Sequence, residues 1–271
     1  MVAPAEKVAA FRAAHRPGKP LLLANAWDMG SARFLAGLGF EALATTSSGF
    51  AATLGRRDYK VSRDEALIHA AALVGATDLP VSADLENCFA DDPAAAADTI
   101  AAAVAIGLAG CSIEDFSGSA ADPIYDIGLA TDRVAAAAEA AHREGDFVLT
   151  ARAENFLHGR SDLADTITRL QRYGEAGADV LYAPGLVTFD DIRAVVTAVG
   201  KPVNVLTVPG IPSVAELAGA GVARISVGGA FAFVALGAVA RAGRELLDHG
   251  TYGWLEVAGE SRRVVAKAFE A

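Results

Sequence analysis

Residues 21–46 read LLLANAWDMGSARFLAGLGFEALATT. The flanks LLLAN (21–25) and ALATT (42–46) are short runs, apolar on both faces, as strands buried on both sides should be. Residues 31–38 carry a helical segment between them. The stretch is one strand–helix–strand unit, and the unit recurs. Further strand signals are PVSAD (80–84), CSIE (111–114), FVLTAR (147–152), VLYA (180–183), PVNVL (202–206) and ARISV (223–227). Helical segments at 63–76, 94–106, 131–143, 163–176, 189–199 and 214–220 alternate with them. Ser62 with Glu65 makes a capping box at the head of 63–76, and Pro93 opens the next helix. Glycines at 175–178 and 218–222 relieve left-handed strain where a helix gives way to a strand.

Strand–helix alternation repeated in this way predicts a parallel sheet with right-handed crossovers. Eight units in about 230 residues fit a closed (β/α)8 TIM barrel better than an open doubly wound sheet. No composition shift or linker marks a second domain. Residues 1–271 are therefore expected to form one barrel domain with a C-terminal helical extension from 231 onward. That extension is longer than one closing helix needs, and packs either on the barrel's base or on a partner subunit.

Apolar residues make up 53% of the 271 and charged residues 21%, which excludes wholesale disorder. Lys plus Arg number 23 against 33 Asp plus Glu, a formal charge of −10, so a basic nucleic-acid footprint is not expected. An anionic small substrate stays open, because local arginines or a metal invert the field at a site. Cys88 and Cys111 lie in or beside apolar runs and read as reduced thiols of a cytoplasmic protein. The first residues are charged throughout and no long apolar window occurs, so neither a signal peptide nor a membrane span is expected.

In such a barrel the C-terminal strand ends carry the active site. They hold Asn25 with Asp28, Thr46 to Gly49, Asp84 with Glu86, Glu114 with Asp115, Arg152 with Glu154, Tyr182, Asn204, and Ser226 with Gly228 and Gly229. Asp84, Glu86 and Glu114 form the densest acidic cluster. Carboxylates without neighbouring His or Cys suit a hard divalent cation, Mg²⁺ or alternatively Mn²⁺. Asp115 reads equally as part of that cluster or as structural. Arg152 is a bidentate clamp for a carboxylate or phosphonate, or an ion pair with one of the acids. The run from Ser47 to Phe50 offers backbone N–H groups to an anion. Gly228 and Gly229 fit a phosphate site or close packing. None of the five histidines, His15, His69, His142, His158 and His249, shows metal-ligand spacing.

The ordered set LLLANAWDMGSARFLAGLGFEALATTSSGF, PVSADLEN, SIEDF, LTARAEN, ADVLYAPG and KPVNVL, from about residue 8 to about residue 240, resembles the isocitrate lyase / phosphoenolpyruvate mutase superfamily. The resemblance implies a Mg²⁺-dependent barrel assembled as a dimer or a dimer of dimers (a homotetramer), with the C-terminal helical stretch exchanged between subunits. It implies cleavage or formation of C–C or P–C bonds next to a pyruvate-like unit in small 2-oxo or 2-hydroxy carboxylates. Carried over, Asp84 stands nearest the metal, Glu86 reaches its water shell, and Glu114 is a further acidic group of the metal site. Ser48, Gly49 and Phe50 hold the substrate's carboxylate and oxo oxygen, Arg152 contacts the substrate, and Asn204 lies at the pocket. Asp58 falls in the mobile loop near the substrate, and Asp58, Arg152 and Glu114 are the expected catalytic residues.

The departures narrow the chemistry. Where the isocitrate and methylisocitrate lyases carry a catalytic cysteine loop, this chain reads FSGSAADPIYDIG (116–128), without Cys, His or Lys. Tyr182 to Gly185 replaces a glutamate-bearing strand end, and Ala232 falls where an arginine is common. Thiol-dependent lyase chemistry and a tricarboxylate substrate are therefore not expected. The expected activity is C–C cleavage in a small carboxylic acid through a metal-stabilised enolate, by oxaloacetate-like decarboxylation or retro-aldol cleavage. The alternatives are phosphonopyruvate hydrolase or phosphoenolpyruvate mutase-like P–C chemistry, a non-catalytic 2-oxo acid binder, and a phosphate-binding barrel using Gly228 and Gly229.

Overall fold

The computed structural model describes residues 2–143 and 145–270. In chain order the elements are α1 (Pro4–Ala14), β1 (Leu21–Ala26), α2 (Met29–Gly37), β2 (Leu43–Thr45), α3 (Ser47–Thr53), α4 (Arg63–Ala76), β3 (Val81–Asp84), α5 (Pro93–Ala105), β4 (Gly110–Glu114), α6 (Ile127–His142), β5 (Val148–Arg152), α7 (Leu163–Glu175), β6 (Val180–Tyr182), α8 (Phe189–Val199), β7 (Val203–Leu206), α9 (Val214–Gly219), β8 (Arg224–Ser226), α10 (Ala230–His249) and α11 (Leu255–Phe269). All eight strands pair in parallel and in sequence order. β8 returns to β1 through Leu21↔Arg224 to Leu23↔Ser226, so the sheet is the closed (β/α)8 barrel and not the open alternative.

The local reasons match the sequence. Ser62 accepts from Glu65 N while the Glu65 carboxylate accepts from Ser62 N, which starts α4. α6 begins earlier than its apolar spacing indicates, because Asp126 caps it by accepting from Gly128 N at 2.8 Å. Two helices, α1 and α3, lie outside the segments that the sequence predicts as helical. α3 converts the expected anion-binding loop at Ser47 to Phe50 into a helical turn capped by Thr46. α1 closes the bottom of the barrel with Phe11, which is fully buried against Leu21, Ala42, Val148 and Val180.

Side chains alternate along each strand, so residues two apart share a face. The interior thus has layers. The apolar floor around Phe11 is followed by Ser82, Ser112 and Thr150, which sit two positions below Asp84, Glu114 and Arg152. Small hydroxyl residues replace the bulky Val, Ile and Leu that usually fill a barrel, and the space they leave becomes a cavity.

The C-terminal helices behave differently from the rest. α10 runs for 20 residues and buries only Ala232. α11 folds back against α2 of its own chain, where a Cβ at Gly37 would collide with the Ala268 carbonyl. Among the described residues, no helix is long and apolar enough to cross a membrane.

Candidate active site

Barrel closure brings Asp84, Glu114 and Arg152 together: Glu114 pairs with Arg152 across β4 and β5, and the Arg152 side chain reaches Asp84 at the end of β3. The guanidinium meets three carboxylates. Nη1 lies 2.9 Å from Asp84 Oδ1, Nη2 lies 3.1 Å from Glu114 Oε2, and Nε donates to Glu154 Oε1 at 2.8 Å. Arg152 also sits over the Tyr182 ring, 5.3 Å from its centroid. Burial disfavours its charge, but the surrounding carboxylates outweigh that and hold it protonated far above the ordinary range. The reverse holds for the acids. Burial pushes Glu114 well up and raises Glu154, while Arg152 opposes both shifts. Burial and the Asp84 charge lift Glu86 to about 8 and raise Asp58. One cation thus stands among five carboxylates.

A cavity of about 200 Å³ opens above and between these groups. Asp58, Asp84, Arg152, Tyr182, Asn204 and Ser48 line it. Ser47 donates through both N and Oγ to Asp84 Oδ2, at 3.3 and 3.0 Å, and so aims that carboxylate. Of the expected run Ser48, Gly49 and Phe50, only Ser48 reaches the cavity. The Gly49 and Phe50 amides are taken by the Thr46 cap, and the Phe50 ring stacks on His69 at 3.8 Å. Glu86 points into a small adjoining hollow beside Phe50 and His69. Its backbone is left-handed, as is that of Cys88 and Phe89, at φ 51°, 59° and 59°. Strain of this kind persists only where surrounding structure enforces it. Buried Arg133 does so here, donating to the carbonyls of Asn87, Ala90 and Glu114.

The donor set fits a hard cation. Among the described residues, Glu86 has no side-chain hydrogen bond, and the buried Glu114 Oε2 has only the contact with Arg152 Nη2 at 3.1 Å. Among the described residues, no three His, Cys, Asp or Glu side chains converge as a ready-made ligand set. Mg²⁺ does not require one, because it commonly takes one or two carboxylates and keeps several waters. Asp84 would hold it, with Glu86 and Glu114 reaching its waters.

Other candidates resolve differently. Asp115 turns away from the cavity and is structural, accepting from Tyr173 Oη at 2.6 Å and Glu154 N at 2.8 Å, with Arg169 alongside. His158 stacks on Phe116 at 3.8 Å. The Gly228 amide is committed to Asn25 Oδ1 at 2.9 Å, and a Cβ on Gly229 would strike Ser48 Oγ. The glycine pair is therefore a packing device. Both cysteines are free and fully buried, and burial pushes Cys88 to about 12 and Cys111 well up. Tyr59 was missed. Its hydroxyl donates to Glu114 Oε1 at 3.1 Å, and its ring packs edge-on against Phe116. Its only sequence signal was its place beside Asp58.

The model of the phosphoenolpyruvate phosphomutase family matches residues 11–247. A solved structure from Burkholderia cenocepacia J2315, assigned as a lyase/mutase, is 51% identical with a TM-score of 0.95, covering 99% of this chain and 98% of that one. A second from the same organism, assigned as a phosphonomutase, is 39% identical with a TM-score of 0.84, covering 92% of this chain and all of that one. The 2-methylisocitrate lyase of Escherichia coli K12 is 29% identical, covering 72% of this chain and 67% of the lyase. Sequence, barrel topology and these likenesses agree: the chain belongs to the phosphoenolpyruvate phosphomutase family, within the isocitrate lyase superfamily.

Proposed function

We propose that this chain is a Mg²⁺-dependent carbon–carbon lyase that cleaves a small 2-oxo or 2-hydroxy carboxylate next to its pyruvate-like unit. The observation that carries this reading is the excess of carboxylates around Arg152 at the mouth of a cavity of only about 200 Å³. That volume falls below the usual ligand-pocket range of about 300–1,000 Å³, in keeping with a small acid. Bound Mg²⁺ would supply a positive charge for the enolate oxygen that develops as the bond breaks.

The chain's own residues do the rest. Ser47 fixes Asp84, Arg152 exchanges one of its carboxylate partners for the substrate's, and Tyr59 covers the mouth. Asp58 lines the cavity, and burial keeps its carboxyl protonated to higher pH than an ordinary aspartate. In this reading it returns a proton to the enolate carbon. A decarboxylation or retro-aldol step needs no thiol acid, which agrees with the inert cysteines. The small-substrate reading extends to P–C chemistry on a phosphonopyruvate-like acid, favoured by the likeness to the phosphonomutase assignment.

The test is release of pyruvate from oxaloacetate, 2-methylisocitrate and phosphonopyruvate, and of glyoxylate from isocitrate, with Mg²⁺ and with EDTA. EDTA-sensitive release from a C–C substrate above the metal-only background is expected. Release from phosphonopyruvate alone would replace this reading by the P–C one. Asp84→Ala should lose about 10²–10³ in rate, as for other preorganised transition-state groups, and His158→Ala should not. Full activity in Asp84→Ala sinks the metal assignment.

We further propose that the exposed face of α10 packs on a second copy of the chain. Leu22, on the outer face of β1, is 44% exposed where a barrel strand is normally covered by a helix.

A further inference from the structure

Below the active-site layer lies a group that neither the sequence reading nor the proposed chemistry uses. Arg224 projects from β8 into the barrel and is only 4% exposed. Its Nε donates to Asn204 Oδ1 at 2.9 Å, and Nη2 donates to Thr150 Oγ1 at 3.0 Å. Nη1 meets His15 Nε2 at 3.2 Å. All three partners are neutral. The His15 Nδ1–H donates to the Phe11 carbonyl, and burial, then Arg224 itself, keeps the ring uncharged by lowering its pKa to about 3. Among the described residues Arg224 forms no ion pair, whereas Arg152 above it has three.

A guanidinium has five N–H donors, and these contacts use three. A buried charge without a counter-ion is costly, and such groups are normally paired. Arg224 nevertheless lines the same cavity as Asp84 and Arg152. Ser82 and Ser112, whose small size opens the barrel, line the shaft that leads to it. Even with burial lowering its pKa to about 10, Arg224 stays charged at neutral pH.

We propose that Arg224 is the floor of an anion subsite inside the barrel, built to receive a carboxylate of the substrate. The inference rests on the carboxylate substrate proposed above, which it deepens. The molecule would enter with one anionic end down the shaft and its reacting end at the carboxylate cluster.

The test needs no turnover. Thermal melting is followed in EDTA with formate, acetate or chloride added at constant ionic strength. A saturable stabilisation by formate or acetate that chloride does not reproduce is expected. Arg224→Gln should weaken it by about 30-fold or more, the usual loss when one partner of a buried charged contact is removed. Arg224→Lys should keep part of it. If Arg224→Gln does not fold, Ser82→Val and Ser112→Val block the shaft while leaving the guanidinium and its partners intact. They should abolish the carboxylate effect. Absence of saturable stabilisation in the wild type, equal stabilisation by chloride, or full retention in Arg224→Gln or the two valine variants overturns the subsite. Because the assay runs without metal, it separates from the lyase reading: melting silence beside EDTA-sensitive pyruvate release overturns the subsite alone, and a silent pyruvate panel leaves the melting result standing.

Discussion

The hydroxyl of Tyr59, on the loop after α3, donates to Glu114 Oε1 at the end of β4 across 3.1 Å. It ties the loop carrying Asp58 to the carboxylate cluster, beside the Tyr59 ring's contact with Phe116 and the Arg56–Glu65 pair that anchors the loop to α4. Burial, then the Glu114 charge, keeps that hydroxyl protonated far above the ordinary tyrosine range, so it remains a donor at any working pH. Tyr59→Phe keeps the ring on Phe116 and removes only the tether. We expect about a tenfold fall in kcat/KM, equivalent to 1.4 kcal/mol, with the melting temperature nearly unchanged. An unaltered kcat/KM under Mg²⁺ saturation would show that the loop closes without this bond.

Cys88 and Cys111 are enclosed in the hydrophobic core, and burial raises both thiols. Native protein treated with N-ethylmaleimide should therefore keep its activity, and Cys88→Ala should lose stability, not turnover. Rapid inactivation by the reagent in step with single-site labelling would return a thiol to the mechanism.

His15 sets a pH limit on the barrel floor. Its folded pKa, about 3, lies below the unfolded value of 6.5. A group with a depressed folded pKa contributes stability above its unfolded pKa and loses it as pH falls. Stability should thus decline from about pH 6.5 toward pH 3, by up to about 5 kcal/mol at 1.36 kcal/mol per unit. His15→Gln, which still offers an acceptor to Arg224, should flatten that stretch of the profile in urea melts taken at successive pH values. An identical slope in both proteins would assign the acid sensitivity to other groups.

α10 leaves Phe233, Val234, Leu236, Val239, Leu246 and Leu247 exposed. Apolar surface on this scale marks an interaction face. Sedimentation equilibrium should find a dimer or tetramer in the wild type. Val239→Glu with Leu247→Glu should shift it to monomer, because a carboxylate desolvated in an apolar contact has no partner. A wild type that sediments as a monomer at micromolar concentration would remove the second-copy proposal.

Much of the barrel was legible because its signals are local. Alternating apolar runs, Ser62 with Glu65, and glycines at helix ends each act within a few residues. α3 was not legible, because SSGF has little helical propensity and folds through the Thr46 cap against the packed end of β2. Asp84, Glu114 and Arg152 could be nominated from strand ends, since the barrel's C-terminal face is the same in every such fold. Their roles could not be separated there. Asp115 differs from Glu114 by one position, and alternation sends it to the opposite side, onto Tyr173 and Arg169.

The sequence by itself determined eight strand–helix units, a closed parallel barrel, and an acidic strand-end cluster facing an arginine. These follow from periodicity, turn chemistry and position in a strand. Only the tertiary structure decided which charges meet. Arg152 reaches Asp84 across 68 positions of chain, and Arg224 faces Thr150 across 74, without a carboxylate among its partners. A guanidinium's burial, its surplus of donors and its counter-charges are set by barrel closure, because electrostatic energy depends on distance in space and on the surrounding dielectric, neither of which is written in local residue order.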